Sequence, residues 1–338
     1  KQRQNLTLIT NIQVSKIIIE NSSAVGVEIK NKNRLEKIFA EKEVLLSAGA
    51  INSPQILMLS GVGPEVELKN HGIKIISSLN GVGENLQDHL ETYVQYECTK
   101  PVTLYSSFNP INMALIGLQW FLFKKGIAAH SNLEIGGFIR TNEMVDYPNM
   151  QYHFFPSLVI DHGRQNPSCH AFQAHVGPMR PTSRGFVKLK SSNPNDLPRI
   201  QFNYMQTEHD LNEMREGIKI ARDIFHQKAF DHYRGKEISP GENINSDDGL
   251  NNFIRSKGDT AYHPSCTCKM GNDDMSVVDQ DLKVYGVETL RVVDASIMPN
   301  IVSGNLNATT VMIAEKASDL IQNKITAEKV NIEFYKAS

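Results

Sequence analysis

The sequence predicts a mixed α/β fold made of two domains. Short β-branched and apolar runs with polar breaks open the chain over residues 6–47, and a buried-type strand (290–294) followed by an amphipathic helix (308–324) closes it. The residues between these two ends have a different pattern of apolar and polar residues. We therefore expect one domain assembled from two separate pieces, residues 1–91 and 281–330, and a second domain, residues 92–280, inserted between them.

The first piece begins as a sheet. Strands are predicted at residues 6–10, 14–19, 24–29 and 43–47. The last of them ends in two small residues around Gly49, where the backbone can approach a ligand closely. A helix is then predicted to start at Ser53 and Pro54, as a cap followed by proline, and to stop at the glycine-rich segment 60–64.

The inserted material combines helices with strands. The apolar run 111–123 is shorter than the roughly 20 residues that a membrane span needs, and we expect a packed helix there. Strands are predicted at 151–160 and 171–176, a hairpin at 185–190 and a surface loop at 239–248. A helix with a buried face is predicted from residues at helical spacing: Leu211, Met214, Ile218, Ala221 and Phe225.

Composition favours a small-molecule partner. The 338 residues include 35 Lys+Arg against 37 Asp+Glu, so no basic field exists to attract nucleic acid or an anionic membrane. Four cysteines are too few for a disulfide framework in a chain of this length. Because strand-like sequence starts almost at Lys1, with no signal peptide before it, we expect the chain to be the later part of a longer protein.

His263 is the residue whose chemistry has competing interpretations. Cys266 and Cys268 lie close to it, but a structural zinc site usually needs a fourth ligand and a wider spacing. A cysteine nucleophile paired with this histidine is a second interpretation, although such pairs usually meet through the fold. A histidine with a purely structural role is the third. The loop 81–89, with two glycines and then polar residues, makes either a functional contact or only a turn, and its periodicity favours the turn.

A second segment, residues 294–310, favours a functional role for His263 over a purely structural one. It leaves a strand at Asp294, turns through Pro299 and enters a helix whose first turn carries Asn307, Thr309 and Thr310. Unpaired amides and the positive end of the helix dipole therefore face whatever lies above this helix. An anion or a developing negative charge is stabilised at such a position.

With these segments, the sequence resembles the glucose-methanol-choline (GMC) oxidoreductases. Four stretches carry the likeness: residues 47–64, 82–89, 263–271 and 293–299 with their continuation. The resemblance extends to choline dehydrogenase-like members and more particularly to the insect glucose dehydrogenase-like branch. It implies part of a doubly wound FAD-binding domain joined to a substrate domain on an antiparallel sheet. The chain would be the C-terminal portion, because the GxGxxG motif for the FAD pyrophosphate is absent.

The resemblance also implies the active site. It assigns catalysis to His263 and to Asn305, counted from the Ser-Ile-Met-Pro turn, with Asn307 as a flavin-contacting alternative. His263 would take the hydroxyl proton while hydride passes to flavin N5, and Asn305 would orient the substrate oxygen. The residues expected to contact FAD are Val14, Ala48, Tyr262, Asp294, Ala295, Asn307, Ala308 and Thr309.

The expected reaction is oxidation of a sugar or alcohol CH–OH group, with a quinone-type electron acceptor. Insect relatives make secretion the expected localisation. Cys266 departs from the family, which usually has glycine there. Two rivals remain: an inactive relative that binds a ligand or a protein, and a zinc-dependent hydrolase using His263 and the cysteines.

Overall fold

The computed structural model describes residues 3–31, 34–133 and 135–324. The strands are β1 Gln13–Glu20, β2 Ser23–Asn31, β3 Arg34–Phe39, β4 Val44–Leu46, β5 Val62–Gly63, β6 Ser77–Ser78, β7 Leu90–Cys98, β8 Ile135–Ile139, β9 Met150–Phe155, β10 Ala171–Pro178, β11 Phe186–Lys188, β12 Arg199–Gln201, β13 Arg234–Ser239, β14 Asp259–Thr260 and β15 Leu290–Val292. The helices are α1 Gly49–Leu59, α2 Glu65–Asn70, α3 Pro110–Phe123, α4 Glu208–Phe225, α5 Asp247–Lys257 and α6 Leu306–Ile321.

The chain divides into two compact units. Unit 1 comprises the described residues up to 88, residues 183–204 and the described residues from 262 onward, whereas unit 2 comprises 89–182 and 205–261. The domain division predicted from the sequence stays a prediction. Residues 1–2, 32–33 and 325–330 of its first domain, and residue 134 of its second, lie outside the described residues.

Unit 1 contains an antiparallel sheet in the order β1-β2-β3 and a parallel pair in which β15 lies beside β4. In that pair Val44 is opposite Leu290 and Leu46 is opposite Val292. All of β15 is buried, as expected for a parallel strand covered on both faces. Helices α1 and α6 supply buried apolar residues to the same core, among them Leu57, Met58, Ile313 and Ala317.

Unit 2 is built on an antiparallel sheet in the order β13-β7-β10-β9-β8, with β14 also pairing β7. Helix α4 packs on this sheet, and all five residues predicted for its inner face are buried. Its N-terminus is capped by Thr207, whose hydroxyl accepts the Asp210 N–H at 3.2 Å. Together with unit 1, this arrangement confirms the predicted α/β fold class.

Several elements differ from the prediction. Residues 6–10 are not a strand, and Leu6, Leu8 and Ile9 are exposed. Strand β3 was not predicted, because it is exposed throughout and lacks an apolar face. Helix α1 begins at Gly49, earlier than the expected start at Ser53.

Helix α3 forms where predicted, but the expectation of a packed helix is wrong. None of its residues is buried in the described structure. Across the part of the chain that the structure describes, no helix combines the length and the apolar character needed to cross a membrane.

Candidate active site

The loop that carries His263 is held by residues 87 and 88. Gln87 and Ser265 exchange two backbone hydrogen bonds, of 3.2 and 2.9 Å. The His263 N–H donates to Asp88 Oδ1 at 2.8 Å, and the Tyr204 hydroxyl donates to the other oxygen of Asp88. The loop 81–89 therefore does more than turn the chain, because it holds the loop that carries His263.

Asn305 lies immediately before helix α6 and points its amide at His263. Its backbone has the extended conformation of an N-cap, with φ −66° and ψ 140°, but its side chain does not cap the helix. Asn305 Nδ2 instead lies 3.4 Å from His263 Nε2. The Ile301 N–H donates to Gln87 Oε1 at 3.0 Å, so the segment that holds the His263 loop also holds the approach to α6.

This pairing defines the chemistry of the two side chains. An amide Nδ2 can only donate a hydrogen bond, so the facing Nε2 fits a neutral imidazole with its proton on Nδ1. At 3.4 Å the contact is long for a hydrogen bond. His263 is half-buried and Asn305 is exposed, so a hydroxyl group can reach both. Together they can accept a proton and donate a hydrogen bond to one oxygen.

Two stretches of exposed backbone in unit 1 fit a cofactor. Ala48 is exposed, and the neighbouring Gly49 has φ +81° with open space where a side chain would project. In the first turn of α6, Asn307 and Ala308 are exposed and Thr309 is half-buried. The N–H groups of this turn have no partners within the helix, which suits an electron-rich group.

The other predicted cofactor residues have varied surroundings. Val14 is half-buried in β1 and pairs with Ile29. Tyr262, beside His263, is exposed, with a left-handed backbone at φ +61°. Ala295 is half-buried, and its carbonyl accepts the Cys266 N–H at 3.2 Å. Tyr262 thus lies beside His263 in the same loop, whereas Val14 lies in strand β1.

Asp294 uses its carboxylate to hold the backbone together. One oxygen accepts the Ser296 N–H at 2.8 Å. The other accepts the Gly49 N–H at 2.9 Å and the Ser53 hydroxyl at 2.6 Å. Asp294 therefore connects the start of α1 to the turn after β15, and so positions the backbone of Ala48.

Asn85 is a second residue of the loop 81–89 that connects segments around the site. Its Nδ2 donates to the Pro299 carbonyl at 3.1 Å, and its Oδ1 accepts Arg184 Nε at 2.9 Å. Arg184 also donates to Asn300 Oδ1 at 2.9 Å. Sequence reasoning assigned no role to Gln87, Asp88 or Asn85. The run of polar residues after two glycines was the signal that could have found them.

The cysteines beside His263 are poor nucleophiles. Cys266 is fully buried, and burial raises the pKa of its thiol to about 11. Burial, together with the Asp294 charge, also raises the pKa of Cys268 far above its usual range. Cys266 has φ +76°, a backbone conformation that glycine adopts without strain, which explains why glycine suits this position.

No group of three His, Cys, Asp or Glu side chains that could hold a metal ion occurs among the described residues. A zinc-dependent hydrolase therefore has no ligand set in this part of the chain.

Comparisons with known proteins place this site in context. Two family models, both described as GMC oxidoreductase, match residues 1–91 and 181–314. Human mitochondrial choline dehydrogenase is 51% identical over 99% of the chain and 57% of its own length. The oxygen-dependent choline dehydrogenase of Acinetobacter baumannii (strain AYE) is 50% identical over 100% of the chain and 62% of its own length. The chain thus spans about three fifths of these relatives.

Solved structures agree with the fold. Formate oxidase from Aspergillus oryzae RIB40, in a structure concerned with FAD modification, superposes with a TM-score of 0.90 at 26% identity and covers 96% of the chain and 62% of its own length. Pyridoxine 4-oxidase from Mesorbium loti gives a TM-score of 0.83 at 28% identity and covers 96% of the chain and 60% of its own length.

These relatives correct two expectations. The prediction of a secreted protein is wrong, because the matched choline dehydrogenases are mitochondrial or bacterial. The narrower placement in an insect glucose dehydrogenase-like branch is not supported, since the same relatives are choline dehydrogenases.

Proposed function

The chain belongs to the GMC oxidoreductase family, and we propose on this basis that it forms the catalytic part of an FAD-dependent enzyme that oxidises the CH–OH group of a choline-like alcohol. The observation that carries the proposal is the approach of Asn305 Nδ2 to His263 Nε2, at 3.4 Å. That pair provides one proton acceptor and one hydrogen-bond donor for a single substrate oxygen.

The choice of a choline-like substrate rests on the relatives. Identities of 51% and 50% to choline dehydrogenases, over nearly the whole chain, favour such a substrate over the sugar expected from the insect branch. The electron acceptor does not follow from these relatives, and a quinone-type electron acceptor remains our prediction.

In the proposed reaction, His263 Nε2 removes the hydroxyl proton of the substrate. A neutral imidazole suits this step because its unperturbed pKa lies close to the pH at which enzymes work. Asn305 donates a hydrogen bond to the same oxygen and holds it against the imidazole as negative charge develops there. FAD, when bound, supplies the acceptor for the hydride that leaves the carbinol carbon.

The exposed backbone of unit 1 fits that cofactor. We assign the amides of Asn307, Ala308 and Thr309 to the electron-rich edge of the flavin, since they lie at the positive end of α6. Ala48, Tyr262, Asp294 and Ala295 would line the cofactor and Val14 would contact its adenine side. Residues 1–91 and 281–330 would then form the FAD-binding domain, and 92–280 the substrate-binding domain.

The proposal is tested by anaerobic reduction of the flavin in the full-length protein. We expect choline to bleach the flavin absorbance in a stopped-flow experiment and glucose to do so far more slowly. His263→Ala should keep FAD bound and slow bleaching roughly 100-fold or more. His71→Ala, which removes another half-buried histidine of unit 1, is the matched control and should leave the rate unchanged.

Equal bleaching rates in the wild type and in His263→Ala would refute the catalytic assignment. Faster bleaching by glucose than by choline would restore a sugar substrate. Bound flavin that no alcohol bleaches would favour the alternative of an inactive relative that binds a ligand or a protein.

A further inference from the structure

The segments that carry His263 and Asn305 are joined directly by backbone hydrogen bonds only at a distance from the two side chains described here. Alternate N–H groups of residues 266–270 donate to the carbonyls of residues 295–297, over 2.8 to 3.2 Å. These bonds begin three residues after His263 and end eight residues before Asn305. Closer to the two side chains, residues of the loop 81–89 connect the same segments.

Gln87 makes the first of these connections. Its backbone exchanges two hydrogen bonds with Ser265, which is two residues after His263. Its side-chain Oε1 accepts the Ile301 N–H at 3.0 Å, four residues before Asn305. Gln87 is only 3% exposed and Ile301 4% exposed, so this hydrogen bond is shielded from water. A single buried residue therefore holds the loop of one catalytic side chain against the segment that leads to the other.

Asn85 makes the second connection. Its Nδ2 lies 3.4 Å from the Cys266 carbonyl and 3.1 Å from the Pro299 carbonyl, so one amide contacts both segments. Its Oδ1 accepts Arg184 Nε at 2.9 Å, which fixes the orientation of the amide. The backbone of Asn85 is left-handed, at φ +62°, a conformation that Asn and Asp adopt more readily than most residues.

The strip of chain that carries both amides is itself held from another side. Leu86, which lies between them, is fully buried and exchanges two backbone hydrogen bonds with Gly185, of 3.0 and 2.8 Å. Because Leu86 pairs with one neighbouring segment and Gln87 with another, the strip has little freedom to move. The two amides therefore act from a fixed support.

We propose that Gln87 and Asn85 are positioning residues that set the spacing between His263 Nε2 and Asn305 Nδ2. This inference rests on the proposed function, in which both atoms must reach one substrate oxygen. The spacing is 3.4 Å, and a shift of about 1 Å in such an arrangement is enough to slow a reaction severely. Gln87 and Asn85 touch neither substrate nor cofactor in this role.

Gln87→Leu separates the two functions of Gln87. It keeps the backbone bonds to Ser265 and removes the acceptor of the Ile301 N–H. We expect flavin reduction at saturating choline to slow roughly 10-fold in the full-length protein, while the half-saturating choline concentration stays nearly constant. Gln55→Leu is the matched control, since Gln55 is another buried glutamine of unit 1, whose Nε2 donates to the Asp196 carbonyl at 2.9 Å. Its reduction rate should equal that of the wild type.

Asn85→Asp tests the second connection. The aspartate keeps an acceptor for Arg184 and tolerates the left-handed backbone, but it has no N–H for the carbonyls of Cys266 and Pro299. A carboxylate oxygen beside two carbonyl oxygens pushes the segments apart. We expect flavin reduction to slow in the same way as in Gln87→Leu.

A double-mutant cycle separates positioning from general damage to the fold. In a protein that already carries Asn305→Ala, the spacing no longer matters, so adding Gln87→Leu should change the reduction rate less than about 2-fold. Hydrogen exchange followed by mass spectrometry gives a measurement independent of activity. Peptides that contain Ile301 should exchange faster in Gln87→Leu than in the wild type or in Gln55→Leu.

Three results would overturn the inference: wild-type reduction rates in Gln87→Leu, the same fold loss with and without Asn305→Ala, or an equal loss in Gln55→Leu. Unchanged flavin absorbance verifies that each variant is folded. The His263→Ala variant distinguishes the two levels of failure. If it reduces flavin normally, the proposed function fails. If it is slow while Gln87→Leu is normal, only the positioning role fails.

Discussion

Asp88 supports the proposed proton acceptor through the main chain. Its two carboxylate oxygens accept the His263 N–H and the Tyr204 hydroxyl, so one buried side chain fixes where the His263 loop runs. Reaction rates are sensitive to displacements of about 1 Å between reacting groups. Asp88 is therefore a positioning residue.

We expect Asp88→Asn to slow flavin reduction by choline roughly 10-fold, because one of the two donors then faces an amide N–H₂ and the loop shifts. Flavin binding should be retained. Tyr204→Phe removes the other donor to the same carboxylate and leaves the bond to His263 in place, so it should have the smaller effect. Stopped-flow bleaching measures both variants. A slower reaction in Tyr204→Phe than in Asp88→Asn would contradict this role.

The two cysteines beside His263 should be unreactive in the folded protein. Burial raises the pKa of the Cys266 thiol to about 11, so below that pH the thiol stays protonated and alkylates slowly. We expect iodoacetamide at pH 8 to modify the half-buried Cys169 first, and Cys266 and Cys268 only after denaturation. Peptide mass spectrometry locates the label. Modification of native Cys266 at pH 8 would revive a cysteine nucleophile.

Among the elements, α1 shows why a proline is tolerated inside a helix. Pro54 has no N–H to donate to the Ala50 carbonyl one turn earlier. The Thr267 hydroxyl, from the loop that carries His263, donates to that carbonyl at 2.6 Å instead. The helix and the loop each depend on the other for this hydrogen bond.

Thr267→Val should therefore destabilise the protein by roughly 1–3 kcal/mol, because it leaves a buried carbonyl without a donor at nearly constant volume. Thr267→Ser keeps the hydroxyl and is the matched control. Urea denaturation followed by circular dichroism compares the two free energies of unfolding. A valine variant as stable as the serine variant would show that water or another group serves this carbonyl.

The same helix shows where sequence reasoning succeeds and fails. Its end at Leu59, with Ser60 as the C-cap, follows from a local glycine signal and was predicted correctly. Its start was placed too late, since the Ser53 hydroxyl donates to Asp294, which is 241 residues away in the sequence. No local pattern carries such a contact. Likewise, a family resemblance carried by local segments was enough to predict His263 and Asn305 as site residues, whereas Asp88 contacts His263 across 175 residues of sequence.

At the scale of the whole molecule, one buried carboxylate makes stability depend on pH. In unit 2, Glu213 is a buried carboxylate on α4, and Asn149 Nδ2 donates to its Oε1 at 2.6 Å. Its Oε2 has no hydrogen-bond partner among the described residues. Desolvation raises the pKa of Glu213, although the Asn149 hydrogen bond opposes the shift. The fold therefore favours the protonated form of this side chain.

This shift gives the stability of unit 2 a defined pH dependence. Because the pKa of Glu213 is higher in the folded state, protonated Glu213 contributes its full stability at pH values below its unfolded-state pKa. That contribution is lost as pH rises through its folded-state pKa. Glu213→Gln keeps the acceptor for Asn149 without the charge. We expect it to raise Tm by a few degrees at pH 8 and to have little effect at pH 4. Thermal melts at both values check this, and a variant less stable at pH 8 would contradict it.

The parallel pairing of β4 with β15 has a consequence for the order in which the chain folds. Val44 cannot pair until Leu290 has been synthesised, and all the described residues of unit 2 lie between these two in the sequence. During synthesis, which proceeds at about 5–20 residues per second, unit 2 is complete before β15 emerges. Unit 1 therefore closes last, and closing so long a loop carries an entropy cost that slows this step. Until β15 emerges, the edge of β4 that it pairs with stays open to other partners.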